Sequence, residues 1–484
     1  MLLRNLDKLD GLVEEMLRVA RVPGAALAVV VGEDIVLAKG YGYRDVDAKL
    51  PMQPLTRYPI ASTTKALNAT LLGMLVDEGR LEWDVPVQTY IPTFRLGDPL
   101  VSSQVTVRDL ITMRTGLPRH DWASIHSCGS RAELVERLQH LELSCGFRER
   151  FQYNNLTVTA AGHVAERVTG RSWEDLVRER LLEPLGMRAT TCVRPPGDQV
   201  TRAYFHNGRH ELLDTRVLSA GVTAPSGGAL YSNVTDMARW ISLNLSRGEV
   251  HGRQLIHPRT LAEIHSPQVV VGTDPTAPTP GAAYAMGWYV DTHNGCRRVS
   301  HGGDLHDVGS EVALFPQHNV GFVSFSNLRA PSLARLLNQH AFGLLMDLPV
   351  GETVQERLEQ YNRRTEEVRR RTQAMPRVEN TTPSHSLDDY TGVYRHPGYG
   401  QIEIQRDVGG LVLRRGGLVL PLQHWHFDAW VASESDNALV RSGFAFNWGS
   451  RVLFETNPDG QIGRVTVQLE PAVAPIRFGK VAPD

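Results

Sequence analysis

Ser62 and Lys65 are the residues whose types and spacing speak most directly of chemistry. They lie in P-I-A-S-T-T-K-A-L-N-A-T-L-L-G-M-L, where Leu67, Leu71, Leu72 and Leu75 recur at helical spacing. The pattern predicts an amphipathic helix with Ser62 at its start, where unpaired N–H groups and the helix dipole favour a developing oxyanion. Lys65 falls one turn on, on the same face, within reach of the hydroxyl. A serine needs a group to take its proton, and a lysine desolvated by packing has a lowered pKa and can do so. S-x-x-K alone also fits a capping serine and a solvated lysine. Lysine is scarce here, however: of the five, at positions 8, 39, 49, 65 and 480, only Lys65 completes the motif.

Two more clusters follow. Tyr153-Asn154-Asn155 precedes L-T-V-T-A-A-G-H-V-A-E-R-V-T-G, a second helix pattern, so the tyrosine falls in a loop before a helix. Ser300-His301-Gly302-Gly303-Asp304 follows the strand-like M-G-W-Y-V-D and precedes two strands, Ser310–Phe315 and Val320–Ser326. Singly, Y-x-N and H-x-G are commonplace. In the order S-x-x-K, Y-x-N, H-x-G they form a specific set. With them the chain resembles the serine β-lactamase and penicillin-binding-protein superfamily, in its class C-like and D-aminopeptidase-like branch. The resemblance runs from residue 1 to about 345. It includes Val22-Pro23-Gly24, Arg114-Thr115-Gly116-Leu117-Pro118 and Glu183-Pro184-Leu185-Gly186-Met187. One departure matters: the better-known β-lactamases carry lysine where this chain has His301, and the histidine is the pattern of the superfamily's peptidases, esterases and thioesterases.

The resemblance implies a role for each residue. Ser62 is the nucleophile that forms an acyl-enzyme. Lys65 and Tyr153 share the base and acid work, with the tyrosine pKa expected to fall beside a lysine ammonium. Asn155 bonds the lysine and a substrate carbonyl. His301 bonds the tyrosine or a substrate carboxylate. Gly302 and Gly303 leave the strand edge bare, so that a peptide backbone can lie along it. The N–H groups of Ser62 and Asp304 form the oxyanion hole.

Other chemistries find little support. No serine has glycine two residues away on both sides, so the G-x-S-x-G elbow is missing. There is no H-E-x-x-H, and Asn207-Gly208 between His206 and His210 signals a hairpin. His424 and His426 would share a strand face and read as surface histidines rather than metal ligands. Gly40-x-Gly42 lacks a third glycine and lies in a strand. His120-Asp121, after Arg119, could be a second acid–base pair but reads better as a loop cap. The expectation is no metal and no cofactor.

At 484 residues the chain suits two domains. A net charge of −2 gives no electrostatic case for nucleic acid or an anionic membrane. The four cysteines (128, 145, 192, 296) are scattered, with no C-x-x-C, and suit a reducing compartment at least as well as an oxidising one. The N-terminus reads as an acidic amphipathic helix over 9–17, with no signal peptide or apolar span, which leads to the expectation of a cytoplasmic protein.

The fold class expected is α+β. A helix–antiparallel sheet sandwich would occupy 1–350, with a helical insertion over about 75–210, the sheet resuming at 283–326 and a closing helix near 331–346. A charged helix and polar linker would fill 351–385. Over 386–484, eight short alternating strands (Tyr390–Tyr394, Gln401–Arg406, Gly410–Arg415, Leu418–Leu422, Trp425–Phe427, Trp430–Ala432, Arg451–Thr456, Arg464–Leu469) read as a small antiparallel β-barrel. That barrel resembles the lipocalin-like domain appended to some relatives. Three activities follow from the resemblance: a stand-alone thioesterase that releases and macrocyclises a nonribosomal peptide, a D-residue-specific peptidase or amidase, and an esterase or β-lactam hydrolase. The partners implied are a peptide or a peptidyl thioester on a carrier protein. A binding module without catalysis is disfavoured, since Ser62, Lys65 and Tyr153 are all present.

Overall fold

The computed structural model describes residues 2–124, 129–196, 199–206, 210–212, 221–271, 281–305, 308–328, 333–373, 376–432 and 451–482. Strand Gly24–Val31 shows why a sandwich forms. Ala25, Leu27 and Val29 pack into one apolar cluster, while Ala26, Ala28 and Val30 pack into another. A period of two with both faces apolar requires cover on both sides. On one side lie helices Leu9–Ala20 and Leu333–Met346, with Phe315 stacked on Phe342 at 3.5 Å. On the other lie Thr64–Asp77, Asn155–Thr169 and Val234–Leu245.

The sheet is antiparallel and nine-stranded. Its order is Val269–Val270, Ala283–Tyr284, Tyr289–His293, Cys296–Leu305, Val308–Phe315, Val320–Ser326, Gly24–Val31, Asp34–Asp45 and Leu50–Pro51. Gly24–Val31 sits beside Val320–Ser326, so the first and last parts of the domain meet mid-sheet. Gly40 and Gly42 lie within Asp34–Asp45, and His206 pairs with His210 in a short hairpin, both as expected.

The helix Thr64–Asp77 departs from expectation. It is not amphipathic: every residue from Thr64 to Leu75 is buried, because the helix runs between the sheet and the helical layer. Lys65 is therefore desolvated by its position in the fold. Among the described residues, no helix is long and apolar enough to cross a membrane.

The second unit is a closed eight-stranded antiparallel barrel. Its strands are Gly392–His396, Gly400–Asp407, Gly410–Arg415, Leu418–His426, Ala429–Ala432, Arg451–Thr456, Ile462–Val467 and Ile476–Lys480. The number and most of the strands agree with the sequence reading, but not every strand does. Leu418–Leu422 and Trp425–His426 belong to one strand, which ends before Phe427 and is kinked by a register shift between His424 and His426. The eighth strand, Ile476–Lys480, closes the barrel onto Gly392–His396 and was not foreseen. The interior is filled by side chains, Tyr390, Trp430 and Phe454 meeting edge to face at 4.6 to 5.1 Å. Before it comes helix Val354–Gln373, and the stretch read as a linker is bonded to the barrel: Trp425 Nε1 donates to Pro376 O and Ser384 N–H to Asp428.

Candidate active site

Ser62 lies in a one-turn 3₁₀ segment, Ala61–Thr63, that leads directly into Thr64–Asp77. Ala61 is held at φ +50, unusual for a residue with a Cβ. Two neighbouring glycines explain how so tight a turn is held. A Cβ on Gly227 (φ +124) would stand 2.5 Å from Ala61 C and 2.8 Å from Ser62 N. One on Gly303 would stand 2.4 Å from Ile60 O and 3.0 Å from Ser62 N. Backbone packs on backbone here, so Gly303 is required by the approach of its strand to the nucleophile turn, a reason additional to a bare edge.

Four of the expected residues converge. Lys65 Nζ lies 2.9 Å from Ser62 Oγ, 2.7 Å from Asn155 Oδ1 and 2.5 Å from Ser226 O. The Tyr153 hydroxyl lies 2.6 Å from Ser62 Oγ. Burial is the main force that pushes the Lys65 pKa well below its usual value, assisted by the Arg119 guanidinium and opposed by Asp121. In its neutral form the amine has two hydrogens and one lone pair. The hydrogens suit the two carbonyl oxygens, and the lone pair is left for the Ser62 hydroxyl.

Tyr153 corrects the sequence reading. Its pKa is raised, not depressed, chiefly by burial, with a further push from Tyr289. The expectation weighed a lysine ammonium beside the ring, but that lysine is itself poor at keeping a proton, and desolvation prevails. At neutral pH Tyr153 is a hydrogen-bond donor to Ser62 Oγ.

His301 is likewise different. It is buried, 1% exposed, and its Nε2 pairs with the Tyr284 hydroxyl at 3.1 Å rather than with Tyr153. Its Nδ1 faces Gly302 O at 2.6 Å. Burial and the nearby Lys65 push its pKa down to about 3, so it is neutral and poorly suited to bind a carboxylate. Its ring is 5.3 Å from Tyr289 and 6.5 Å from Tyr153, part of an aromatic wall with Phe151 and Tyr284. Gly302 stands over the buried Glu311, whose carboxyl is pushed up to about 7 by burial. Asp304 is near the strand end with its side chain exposed. The ladder between Tyr289–His293 and Cys296–Leu305 ends at Ser300, so 301–305 has no strand on that edge among the described residues.

Sequence reasoning missed Ser226 and set aside Asp121 and Arg119, which also contribute. Ser226 O holds the lysine; the adjoining Gly227-Gly228 was a usable signal for close backbone approach. Asp121 Oδ1 accepts from Asn155 Nδ2 at 3.0 Å, and Asp121 Oδ2 from Arg119 Nε at 2.7 Å. Arg119 itself lies 4.8 Å over the Tyr153 ring. His120 makes no cap bond of its own, contrary to the loop-cap reading. His424 Nε2 donates to Phe427 O and His426 Nδ1 accepts from Val378 N–H, so each has a local partner. No cluster of three or more His, Cys, Asp or Glu able to hold a metal occurs among the described residues.

The fold agrees with comparison to known proteins. Residues 9–344 match the model of the Beta-lactamase family, and residues 376–480 match a domain of unknown function, DUF3471. The chain is 29% identical over 412 residues to the unguisins hydrolase ungD' of Aspergillus campestris, covering 80% of this chain and 75% of that one. It is 27% identical over 365 residues to protein flp of Staphylococcus aureus, covering 73% and 69%. Among solved structures, an octameric penicillin-binding protein homologue from Pyrococcus abyssi aligns over 98% of this chain and 100% of its own, with a TM-score of 0.63 at 22% identity. SurE aligns over 98% and 99%, with a TM-score of 0.58 at 19% identity.

Proposed function

The chain belongs to the Beta-lactamase family of serine hydrolases, and from that premise we propose that it forms an acyl-enzyme on Ser62 with peptidyl substrates carrying a D-residue at the acyl position. The observation that carries the reading is the contact of one hydroxyl with both Lys65 and Tyr153, at 2.9 and 2.6 Å. The neutral Lys65 amine takes the Ser62 proton as Oγ bonds to the acyl carbon. The N–H groups of Ser62 and Asp304 receive the oxyanion. As the carbon–leaving-group bond breaks, Tyr153 gives its proton to the departing sulfur or nitrogen and is reprotonated from the Lys65 ammonium. Asn155 and Ser226 O keep the amine in place throughout.

The specific reading is a stand-alone thioesterase. It would take a peptidyl thioester from a carrier protein and pass the acyl group to an amine of the same peptide, closing a ring. A crystal structure of SurE with D-Leu is in keeping with a D-residue in such a site. A tethered amine competes with water only when well oriented and shielded. The second reading is hydrolysis of a D-residue peptide or amide, and the name of the Aspergillus relative, a hydrolase, favours it. Both use the same acyl-enzyme. Chromatography of products from matched L- and D-terminated peptidyl thioesters separates them. A cyclic product from the D-terminated substrate supports the thioesterase. Turnover of a D-aminoacyl amide, with neither thioester consumed, makes the chain a D-peptidase.

A further inference from the structure

The turn Arg119–Trp122 reaches the active site with one side and the barrel with the other. His120 is at its centre, buried, in the left-handed region at φ +46. For a residue with a Cβ this conformation persists only when the surroundings enforce it. The enforcing contacts come largely from the barrel. Glu470 Oε2 accepts the His120 backbone N–H at 3.0 Å. The Tyr399 hydroxyl lies 2.6 Å from His120 Nδ1. His120 Nε2 faces Glu142 O at 2.9 Å and must donate to it, so Nδ1 is the acceptor and the Tyr399 hydroxyl the donor. Arg415 bonds both Trp122 O and Tyr399 O at 2.6 Å, tying the turn to the barrel a third time. Tyr399, Arg415 and Glu470 are all buried, and all come from positions at least 279 residues from the histidine or 293 from the tryptophan.

The active-site side of the same turn carries two charges. Asp121 accepts from Asn155, the residue that holds Lys65, and Arg119 lies over the Tyr153 ring. We propose that Tyr399, Arg415 and Glu470 are positioning residues of the active site, which hold the 119–122 turn so that Arg119 and Asp121 flank Lys65 and Tyr153. The barrel is then a working part of the catalytic unit, and chemistry at Ser62 depends on it without any barrel residue touching the nucleophile. The inference rests on the reading of Lys65 as the group that takes the Ser62 proton.

The two charges act on that amine in opposite directions: Arg119 disfavours its ammonium form and Asp121 favours it. The other groups around Lys65 are Tyr153 from the loop before Asn155–Thr169, His301 from its sheet strand, and Ser226 O. Tyr153 and His301 are neutral near pH 7, which leaves the turn as the source of charge among the described residues. The test uses the full-length protein and a fluorophosphonate probe, with the rate of Ser62 modification followed by intact mass across about pH 5 to 9. The rate should rise with pH as Lys65 loses its proton. Asp121→Asn should move that rise to lower pH and Arg119→Gln to higher pH. Tyr399→Phe should slow modification about tenfold or more, and in its background the Asp121→Asn shift should shrink, since the turn is no longer held. Glu470→Gln gives an independent release of the turn, should Tyr399→Phe fail to fold. Wild-type rates and pH profiles in a folded Tyr399→Phe or Glu470→Gln, or a full Asp121→Asn shift in either background, overturn the inference. A wild-type protein whose Ser62 modification shows no rise with pH, or in which Lys65→Ala keeps that rise, overturns the Lys65 reading instead.

Discussion

Lys65 Nζ lies 2.9 Å from Ser62 Oγ while the lysine side chain is entirely buried. Proximity and desolvation together make the amine a proton acceptor for that hydroxyl, because burial lowers its pKa and the backbone around Ser62 fixes the distance.

Lys65 and Tyr153 should behave as one unit. Lys65→Ala and Tyr153→Phe are each expected to lower acylation by several orders of magnitude. The double variant should lose little more than the worse single one, because both act on the same proton and the same oxygen. Single-turnover acylation rates check this, and losses that multiply would show independent roles.

The pH profile should separate the two residues. Activity needs Lys65 unprotonated, so it rises with pH through the lowered lysine pKa. Tyr153 has a raised pKa and keeps its proton well into alkaline pH. Tyr153→Phe should therefore lower the plateau and leave the acid limb in place. An acid limb that disappears with Tyr153→Phe would identify the tyrosine as the titrating group.

Acid should weaken the fold before carboxylates with ordinary pKa values protonate. Burial holds His265 and His301 near 3 and His293 and His396 near 4. Their pKa values are lower in the folded than in the unfolded chain, so the unfolded chain gains protons first as pH falls below about 6.5, and stability is lost. Glu311, raised to about 7, works the other way between 7 and its usual 4.5. Four groups against one give a net loss over that window, at up to about 1.4 kcal/mol per group per pH unit. Calorimetry at about pH 7.5, 6.5 and 5.5 should show a falling melting temperature. A flat or rising one would mean that these histidines are not held neutral.

Two glycines should resist substitution where a third does not. Gly227→Ala and Gly303→Ala place a Cβ within 2.5 Å of the Ile60–Ala61 backbone. Each is expected to cost about 1–3 kcal/mol and to slow Ser62 acylation. Gly11, exposed in Leu9–Ala20 with nothing within 4 Å of its would-be Cβ, should accept alanine with a gain of up to about 1 kcal/mol. Denaturant unfolding with an acylation assay measures both effects.

What the sequence revealed follows the range of the interactions. Ser62, in the 3₁₀ turn, and Lys65, in the helix it leads into, are one turn apart, and Tyr153 and Asn155 flank the start of another helix, so local spacing announced them. Alternation exposed the barrel, although a kinked strand was read as two and Ile476–Lys480 was overlooked. Asp121 was set aside as a loop cap because its partner Asn155 is 34 positions away, and the ties of His120 to Tyr399 and Glu470 span 279 and 350. No periodicity carries such contacts. The direction of the Tyr153 pKa shift and the partner of His301 were misjudged for a related reason. A neighbouring charge can be guessed from a motif, whereas full burial depends on the packing of the whole sheet and helical layer.

Intact-mass spectrometry of wild-type protein and Ser62→Ala after incubation with a penicillin or a peptidyl thioester tests the central claim most directly. The account predicts a covalent adduct of one acyl group on the wild type, mapped to the peptide containing Ser62, and neither adduct nor turnover in Ser62→Ala. Full turnover by Ser62→Ala, or an adduct on any other residue, would contradict it.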